Sequence, residues 1–270
     1  MINLAMKRLL IMVLWAVGLT VTATAQAPLD VVMLGDSNTW IGGDDCDKPE
    51  GWNSWLKAAL QPRSCRSYAR SGATWTNTPR TRRNTVENIA VLGDDNVVWN
   101  QICRLEEAVD SGHQPQPSLI VILAGTNDAW FVKARPEALT MAAQEAFEAA
   151  LTVADSTAAM MTTLALAVRY GCERLRGRFP EARIVLLTPM ESVAAGAANI
   201  ARAGDIIADC GQRLGLDVIR LDRESGISAA EERTKHLYTT DGTHTNKAGA
   251  QRVGNLVARR IAARPEILND

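Results

Sequence analysis

Neither charge predominates in this sequence of 270 residues, in which 29 Lys and Arg residues oppose 30 Asp and Glu residues. A net charge of −1 excludes the strongly basic class of nucleic-acid binders, whose affinity comes from neutralising phosphates. Apolar residues are not scarce, at 47% of the chain, which excludes an acidic disordered protein. The balance is typical of a globular protein, and we expect no nucleic-acid partner.

Motifs for nucleotides and metals are also missing. No Gly-x-Gly-x-x-Gly follows the first apolar run, and no phosphate-binding loop occurs in the chain, which argues against a dinucleotide or ATP site. Of the five cysteines, none forms a Cys-x-x-Cys pair or stands at zinc-finger spacing from any of the three histidines. We therefore expect neither a metal nor a cofactor.

The amino-terminal segment has the features of a secretory signal peptide. Two basic residues at 7–8 precede an apolar run over residues 9–21, and small residues follow up to Ala25. The run is shorter than the roughly 20 residues of a membrane-spanning helix, so no permanent membrane anchor is expected. We predict that residues 1–25 are removed, that the protein is secreted or periplasmic, and that residues 26–270 form a single domain.

All five cysteines belong to the predicted mature chain. In an oxidising compartment one or two disulfides can form, but an odd number leaves at least one free thiol. Cys46 and Cys65 are the pair closest in sequence, and a disulfide between them is one possibility. The other is that most cysteines are small buried apolar side chains. The remaining three are Cys103, Cys172 and Cys210.

Alternating strand and helix patterns predict the fold. Four runs are mainly apolar and do not alternate with polar residues, which is typical of strands covered on both sheet faces, and a more polar fifth suits an edge strand. The runs predicted as strands cover residues 29–34, 65–70, 118–124, 183–188 and 216–221. Helical periodicity occurs around residues 51–60, 97–109, 138–179, 194–214 and 248–263. This order predicts an α/β protein, a three-layer α/β/α sandwich with a parallel sheet.

The segment over residues 129–182 is unusually long for one crossover between parallel strands. Its middle is rich in Ala and contains Met160 and Met161. We interpret it as an elongated helical connection made of two packed helices. A cap that shapes the mouth of a substrate site is the alternative.

Gly35-Asp36-Ser37-Asn38 follows the first predicted strand. In an open parallel sheet, ligands bind outside the carboxyl ends of the strands, so we expect Ser37 at the functional edge. Serine is also a favoured helix N-cap. The motif is not the Gly-x-Ser-x-Gly turn of other hydrolases, because position 39 is Thr. On its own, the motif leaves both roles open.

The turn over residues 241–244, Asp-Gly-Thr-His, precedes the last predicted helix. A serine is a weak nucleophile until a base removes its proton, and an imidazole base needs a carboxylate to fix its tautomer. Asp241 and His244 stand three residues apart on a turn with glycine, which is close enough for that pairing. The other two histidines lie in polar or charged runs. We predict that His244, oriented by Asp241, acts on Ser37.

Donors for a developing oxyanion are the remaining requirement of acyl transfer. Asn127, in a Gly-Thr-Asn-Asp block, follows the strand predicted at 118–124. Gly72 follows the polar strand and offers a backbone N–H without a side chain to obstruct an acyl group. Either position alone could belong to an ordinary turn. Because Gly72 and Asn127 both follow predicted strands, they indicate that the oxyanion donors belong to the same site as Ser37 and His244.

These four blocks, in this order, resemble the SGNH (GDSL-type) hydrolase family over essentially the whole predicted mature chain. The resemblance implies a flavodoxin-like parallel sheet of five strands. It also implies ester hydrolysis through an acyl-enzyme, with Ser37 as nucleophile, His244 as base and Asp241 as the carboxylate that orients it.

The same resemblance implies the oxyanion hole. Its donors would be the backbone N–H groups of Ser37 and Gly72 and the side chain of Asn127. Asn38 stands where the older family name has Leu, outside the triad and the hole. The long connection departs most from the family and makes inference of the substrate by analogy unsafe.

Tryptophan recurs three positions after the predicted nucleophile and after each further oxyanion donor. These residues are Trp40, Trp75 and Trp130. Flat aromatic faces with an N–H suit sugar rings better than flexible acyl chains. We interpret the three as substrate-binding residues and predict a secreted carbohydrate esterase that removes acetyl groups. Packing of these rings beneath the motif loops is the alternative.

Two other functions stay open at this point. A lipid-directed esterase or lysophospholipase would need an apolar acyl groove, which the Ala- and Met-rich connection could provide. A catalytically silent glycan-binding module would keep the fold without turnover, although every catalytic position is filled. The expected binding partner is a small-molecule or glycan ester substrate.

Overall fold

The computed structural model describes residues 29–149 and 158–264. The predicted signal peptide and its cleavage site lie outside the described residues. The strands are β1 (Asp30–Gly35), β2 (Ser64–Ser67), β3 (Leu119–Leu123), β4 (Arg183–Leu187) and β5 (Asp217–Ile219). The helices in the described part of the chain are α1 (Ser37–Trp40), α2 (Trp52–Leu60), α3 (Val98–Asp110), α4 (Thr126–Trp130), α5 (Ala143–Glu148), α6 (Leu164–Arg178), α7 (Ala197–Leu214), α8 (Leu221–Glu224), α9 (Ala229–Glu232) and α10 (Lys247–Ala262), with a 3₁₀ turn at Ala158–Met160.

The five strands form one parallel sheet in the order β2-β1-β3-β4-β5, which is the flavodoxin-like order. Every residue of β1, β3 and β4 is buried, which explains why apolar residues run through them without alternation. β2 lies at the edge and is only partly buried, as its polar sequence indicates. The predicted three-layer α/β/α sandwich is therefore confirmed.

Side chains of each strand alternate between two buried clusters, one on each face of the sheet. Val32 of β1 packs in one cluster with Ile102 of α3 and with residues of α6 and α7. Val31 packs in the other with Trp52 of α2 and with residues of α10. Because helices cover both faces, the ends of the strands are where a site can form.

The helical periodicity over residues 138–179 does not form one continuous helix. Within that range α5 and α6 are helical, whereas residues 138–142 are not. The Ala138 carbonyl oxygen accepts a hydrogen bond from Leu164 N at 2.8 Å, and a helix through residue 138 would use that carbonyl itself. The connection over residues 129–182 is thus helical in part, and its stretch 150–157 lies outside the described residues.

All five cysteines are free thiols in the structure. The neighbouring Cys65 thiol and burial raise the pKa of the Cys46 thiol, and the Cys46 sulphur accepts a hydrogen bond from Asn53 Nδ2 at 3.4 Å. The disulfide considered for this pair is not formed. The other three cysteines are buried, as expected of small apolar side chains.

Candidate active site

The residues predicted as functional lie beyond the carboxyl ends of β1, β2 and β3. Gly35, at the end of β1, lies against β3, where an added Cβ would come within 2.2 Å of the Leu123 carbonyl oxygen. Glycine alone fits so close an approach. The same carbonyl oxygen accepts a hydrogen bond from Asp36 N at 3.1 Å, which fixes the turn into α1. Ser37 is thereby held at the first position of that helix.

Asp36 is the N-cap of α1 and is fully buried. Its Oδ1 accepts a hydrogen bond from Asn38 N at 3.0 Å. Burial raises the pKa of Asp36 to about 6, against the lowering effects of the Thr126 side chain, the Asn38 N–H and the nearby His244. This carboxyl group therefore changes charge in the pH range in which imidazole also titrates.

A continuous chain of hydrogen bonds joins Ser37, His244 and Asp241. His244 Nε2 lies 2.9 Å from Ser37 Oγ, and His244 Nδ1 lies 2.7 Å from Asp241 Oδ2. The other oxygen of Asp241 accepts from the backbone N–H groups of Thr243 and His244, at 2.9 and 2.8 Å. Ser37 and the turn over residues 241–244 are thus neighbours in the structure, although they lie far apart in the sequence.

The contacts of Asp241 fix the state of the histidine ring. Burial raises the pKa of Asp241, but hydrogen bonds from the His244 backbone, the His244 ring and Thr243 outweigh it, so the pKa lies below its ordinary value. An ionised carboxylate accepts only, and Nδ1 must therefore carry the proton of a neutral ring. His244 Nε2 is then left as the acceptor that faces Ser37 Oγ.

Gly72 and Asn127 follow the two strands that flank β1, so Ser37 lies between them along the sheet edge. Gly72 has a φ of +76°, in the left-handed region that favours glycine. Asn127 is buried, and its Nδ2 donates one hydrogen to Ala73 O at 2.9 Å. The Ser37 N–H, in the first turn of α1, has no helical carbonyl to accept it. The three predicted oxyanion donors thus share one edge.

Asp128 links the loop after Gly72 to α4, the helix of Asn127, a role that the sequence did not indicate. Its buried carboxylate accepts from Trp75 N at 3.0 Å and from Thr76 N at 2.9 Å. The loop after Gly72 is thereby held against α4, which carries Asn127. A carboxylate within the Gly-Thr-Asn-Asp block was visible in the sequence, but nothing indicated its distant partners.

Replacing Asn127 with Ala should lower kcat roughly 10²–10³-fold with little change in KM, since one donor to the developing oxyanion is lost. Steady-state kinetics on p-nitrophenyl acetate measures the effect. Asn199→Ala is the matched control, because Asn199 Nδ2 also donates to a backbone carbonyl, that of Ala129 in α4, at 3.2 Å. An Asn127→Ala enzyme no slower than this control would exclude the donor role.

Asn38 also has a structural role that the sequence did not indicate. Its side chain is buried, and Oδ1 accepts a hydrogen bond from Thr245 N at 3.2 Å. Thr245 follows His244 directly and also bonds through Oγ1 to Glu50 O at 3.0 Å. Asn38 therefore links the helix of the serine to the loop of the histidine.

For Asn38→Leu we expect kcat to fall roughly tenfold at unchanged KM, because displacing a reacting group by a fraction of an ångström slows the reaction without affecting binding. Asn38→Asp is the isosteric comparison, since it keeps an oxygen opposite Thr245 N. Kinetics on p-nitrophenyl acetate, with melting curves for both variants, distinguishes misplacement from unfolding. Equal losses in the two variants would contradict the role of the acceptor.

The three predicted tryptophans do not share one environment. Trp40 on α1 is 48% exposed, and Trp130 on α4 is 39% exposed and stacks with Phe131 at a ring-centroid separation of 5.8 Å. Trp75 is only 2% exposed and lies in the buried cluster that includes Ile102. The interpretation of Trp75 as a substrate-binding residue is therefore corrected: its ring packs beneath the motif loop and presents no face to solvent.

Structures of other proteins share this fold. A protein from Lactobacillus plantarum is 18% identical, with a TM-score of 0.57 over 88% of this chain and 96% of that one. A putative GDSL-like lipase from Bacteroides ovatus is 16% identical, with a TM-score of 0.54 over 87% and 99%. An acetyl xylan esterase, AlAXEase, is 15% identical, with a TM-score of 0.55 over 86% and 100%. No curated protein matches the chain.

The family assignment comes from the sequence itself. The model of the GDSL-like lipase/acylhydrolase family matches residues 33–252, which include all four motif blocks and most of the sheet. The resemblance inferred from the motifs is thus confirmed over most of the chain. The protein belongs to the GDSL-like lipase/acylhydrolase family, the SGNH hydrolases, and is an ester hydrolase by that membership.

Proposed function

We propose that the protein is a serine esterase in which Ser37 is the nucleophile, His244 the general base and Asp241 the carboxylate that orients it. The observation that carries this proposal is the unbroken hydrogen-bonded chain from Asp241 through His244 to Ser37 Oγ. Such a chain activates a hydroxyl that is otherwise unreactive at neutral pH. It requires no metal or cofactor.

The reaction has two halves. In the first, Ser37 Oγ attacks the ester carbonyl carbon while His244 Nε2 takes its proton, and the leaving alcohol then receives that proton as the acyl-enzyme forms. In the second, a water molecule gives its proton to His244 and attacks the acyl carbon. The carboxylic acid leaves, and Ser37 regains its proton from His244.

The oxyanion of each half-reaction would be stabilised by the N–H groups of Ser37 and Gly72 and by Asn127. Asn127 Nδ2 has two hydrogens, and its bond to Ala73 O orients the amide and leaves the second for the substrate oxygen. Donors fixed before the reaction stabilise the developing charge without reorganising. The hydrogen bonds of Asp128 with the loop after Gly72 also hold these donors in place before the substrate binds.

As substrate we propose an acetylated carbohydrate outside the cytoplasm. Trp40 and Trp130 both expose their rings and stand on the helices that carry the serine and the asparagine. Aromatic faces of this kind bind the apolar faces of sugar rings. An acetyl xylan esterase among the structural neighbours is consistent with this substrate class. Secretion follows from the predicted signal peptide, and no helix of the described residues could span a membrane.

The purified protein, incubated with acetylated polysaccharides, should release acetate, and Ser37→Ala should release none. Parallel reactions with lysophospholipids test the lipid-directed alternative by fatty-acid release. Turnover of lysophospholipids alone would replace the carbohydrate proposal with the lipid one. Binding to a glycan without turnover of any ester would instead indicate the catalytically silent module.

A further inference from the structure

The loop over residues 85–96, between β2 and α3, folds back onto the turn that contains Gly72. Arg70 Nε donates to Glu87 O at 2.6 Å, and Asn96 Nδ2 donates to Ser71 O at 2.5 Å. The two anchors lie on either side of the stretch 88–95. Both bind it to the two residues that precede Gly72, so this stretch is held over the glycine.

Val91 occupies the space next to Gly72. A Cβ added to Gly72 would come within 2.7 Å of Val91 Cγ1 and within 3.4 Å of Leu92 N, so a methyl group of Val91 fills the place of the missing side chain. Leu92 has a φ of +65°, a left-handed conformation that is strained for a bulky residue. The anchors at Glu87 and Asn96 hold the loop in this shape.

Burial does not account for the position of these side chains. Val91 is 58% exposed and Leu92 is 60% exposed, although both are apolar. Trp40 and Trp130 are further large apolar residues that the described chain exposes, and they stand on α1 and α4. Trp40 and Trp130 stand on the helices that carry Ser37 and Asn127, and Val91 contacts Gly72, so each of these exposed apolar groups adjoins a residue predicted as functional. Exposed apolar groups beside a site are typical of contact with a ligand.

We propose that Val91 is a specificity-determining residue that limits the size of the acyl group, an inference that rests on the proposed esterase function. If the Gly72 N–H binds the carbonyl oxygen at about 2.9 Å, the substituent of the carbonyl carbon lies beside the same residue. An acetyl methyl group is small enough to fit beside Val91 Cγ1. A butyryl or longer chain has to displace the valine.

The test is the ratio of kcat/KM for p-nitrophenyl butyrate to kcat/KM for p-nitrophenyl acetate. Val91→Ala removes two methyl groups and makes room for a longer acyl chain, so this ratio should rise roughly tenfold. A change in pocket size by about one methylene group alters selectivity by about that factor. Val91→Leu should lower it. The exposed position of Val91 makes either change harmless to folding, which melting curves verify.

Val86→Ala is the matched control, because Val86 is an equally exposed valine of the same loop on the far side of the Glu87 anchor. Its ratio should equal that of the unmodified protein. A Val91→Ala ratio within twofold of this control, or an unmodified protein that prefers butyrate, overturns the proposal for Val91 while leaving the esterase intact. Turnover of Ser37→Ala within tenfold of the unmodified protein would instead remove the proposed function itself.

Discussion

Ser37→Ala should reduce ester turnover roughly 10⁵–10⁶-fold, to the level that binding and the oxyanion donors alone provide. The reason is that His244 Nε2, 2.9 Å from Ser37 Oγ, then has no hydroxyl from which to take a proton. Folding should be unaffected, because the hydroxyl of Ser37 bonds to the histidine ring and not to the sheet. kcat on p-nitrophenyl acetate and a melting curve measure the two effects.

Two controls make this result specific. Ser54→Ala removes a serine of α2 whose hydroxyl bonds to Gly51 O at 2.9 Å, and it should keep full activity. A fluorophosphonate, which reacts with activated serines, should label the unmodified protein and Ser54→Ala at residue 37 and leave Ser37→Ala unlabelled. Turnover of Ser37→Ala within tenfold of the unmodified protein would refute the nucleophile assignment.

The sheet and the hydrogen-bonded chain could be predicted because each depends on local sequence signals. Strands covered on both faces are mainly apolar without alternation, and the run predicted at 183–188 differs by one residue from β4, Arg183–Leu187. The pairing of Asp241 with His244 follows from their spacing on one turn. Since ligand sites of parallel sheets lie at the strand ends, the motifs that end the strands could be assigned to one site.

What the sequence could not indicate depends on contacts between distant segments. A spacing of three residues after a motif does not determine where a ring points, so the burial of Trp75 could not be distinguished from the exposure of Trp40. Asn38 acts through the backbone of Thr245, far away in the chain. Val91 lies in a loop without regular periodicity and meets Gly72 only because two side chains anchor that loop.

The most informative single change in the site is Asp241→Asn, for which we expect kcat to fall about 10⁴-fold. Oδ1 of Asp241 already accepts two backbone N–H groups, from Thr243 and His244. An asparagine must keep its oxygen there, which places its NH₂ group opposite His244 Nδ1. The ring must then accept at Nδ1 and carry its proton on Nε2, so it can no longer take a proton from Ser37.

Asp241→Asn should therefore change the tautomer of the ring at residue 244, and not merely remove a charge beside it. The ¹⁵N NMR spectrum of the histidine ring should report a proton on Nδ1 in the unmodified protein and on Nε2 in Asp241→Asn. Asp209→Asn, which alters an exposed carboxylate paired with Arg213 on α7, is the control and should change neither kcat nor the spectrum. A variant that loses less than tenfold in kcat would mean that the Ser37 contact alone keeps the ring in its working tautomer. Because Asn retains both backbone contacts of the turn, such a result could not be attributed to a displaced loop, and the orienting role assigned to Asp241 would be wrong.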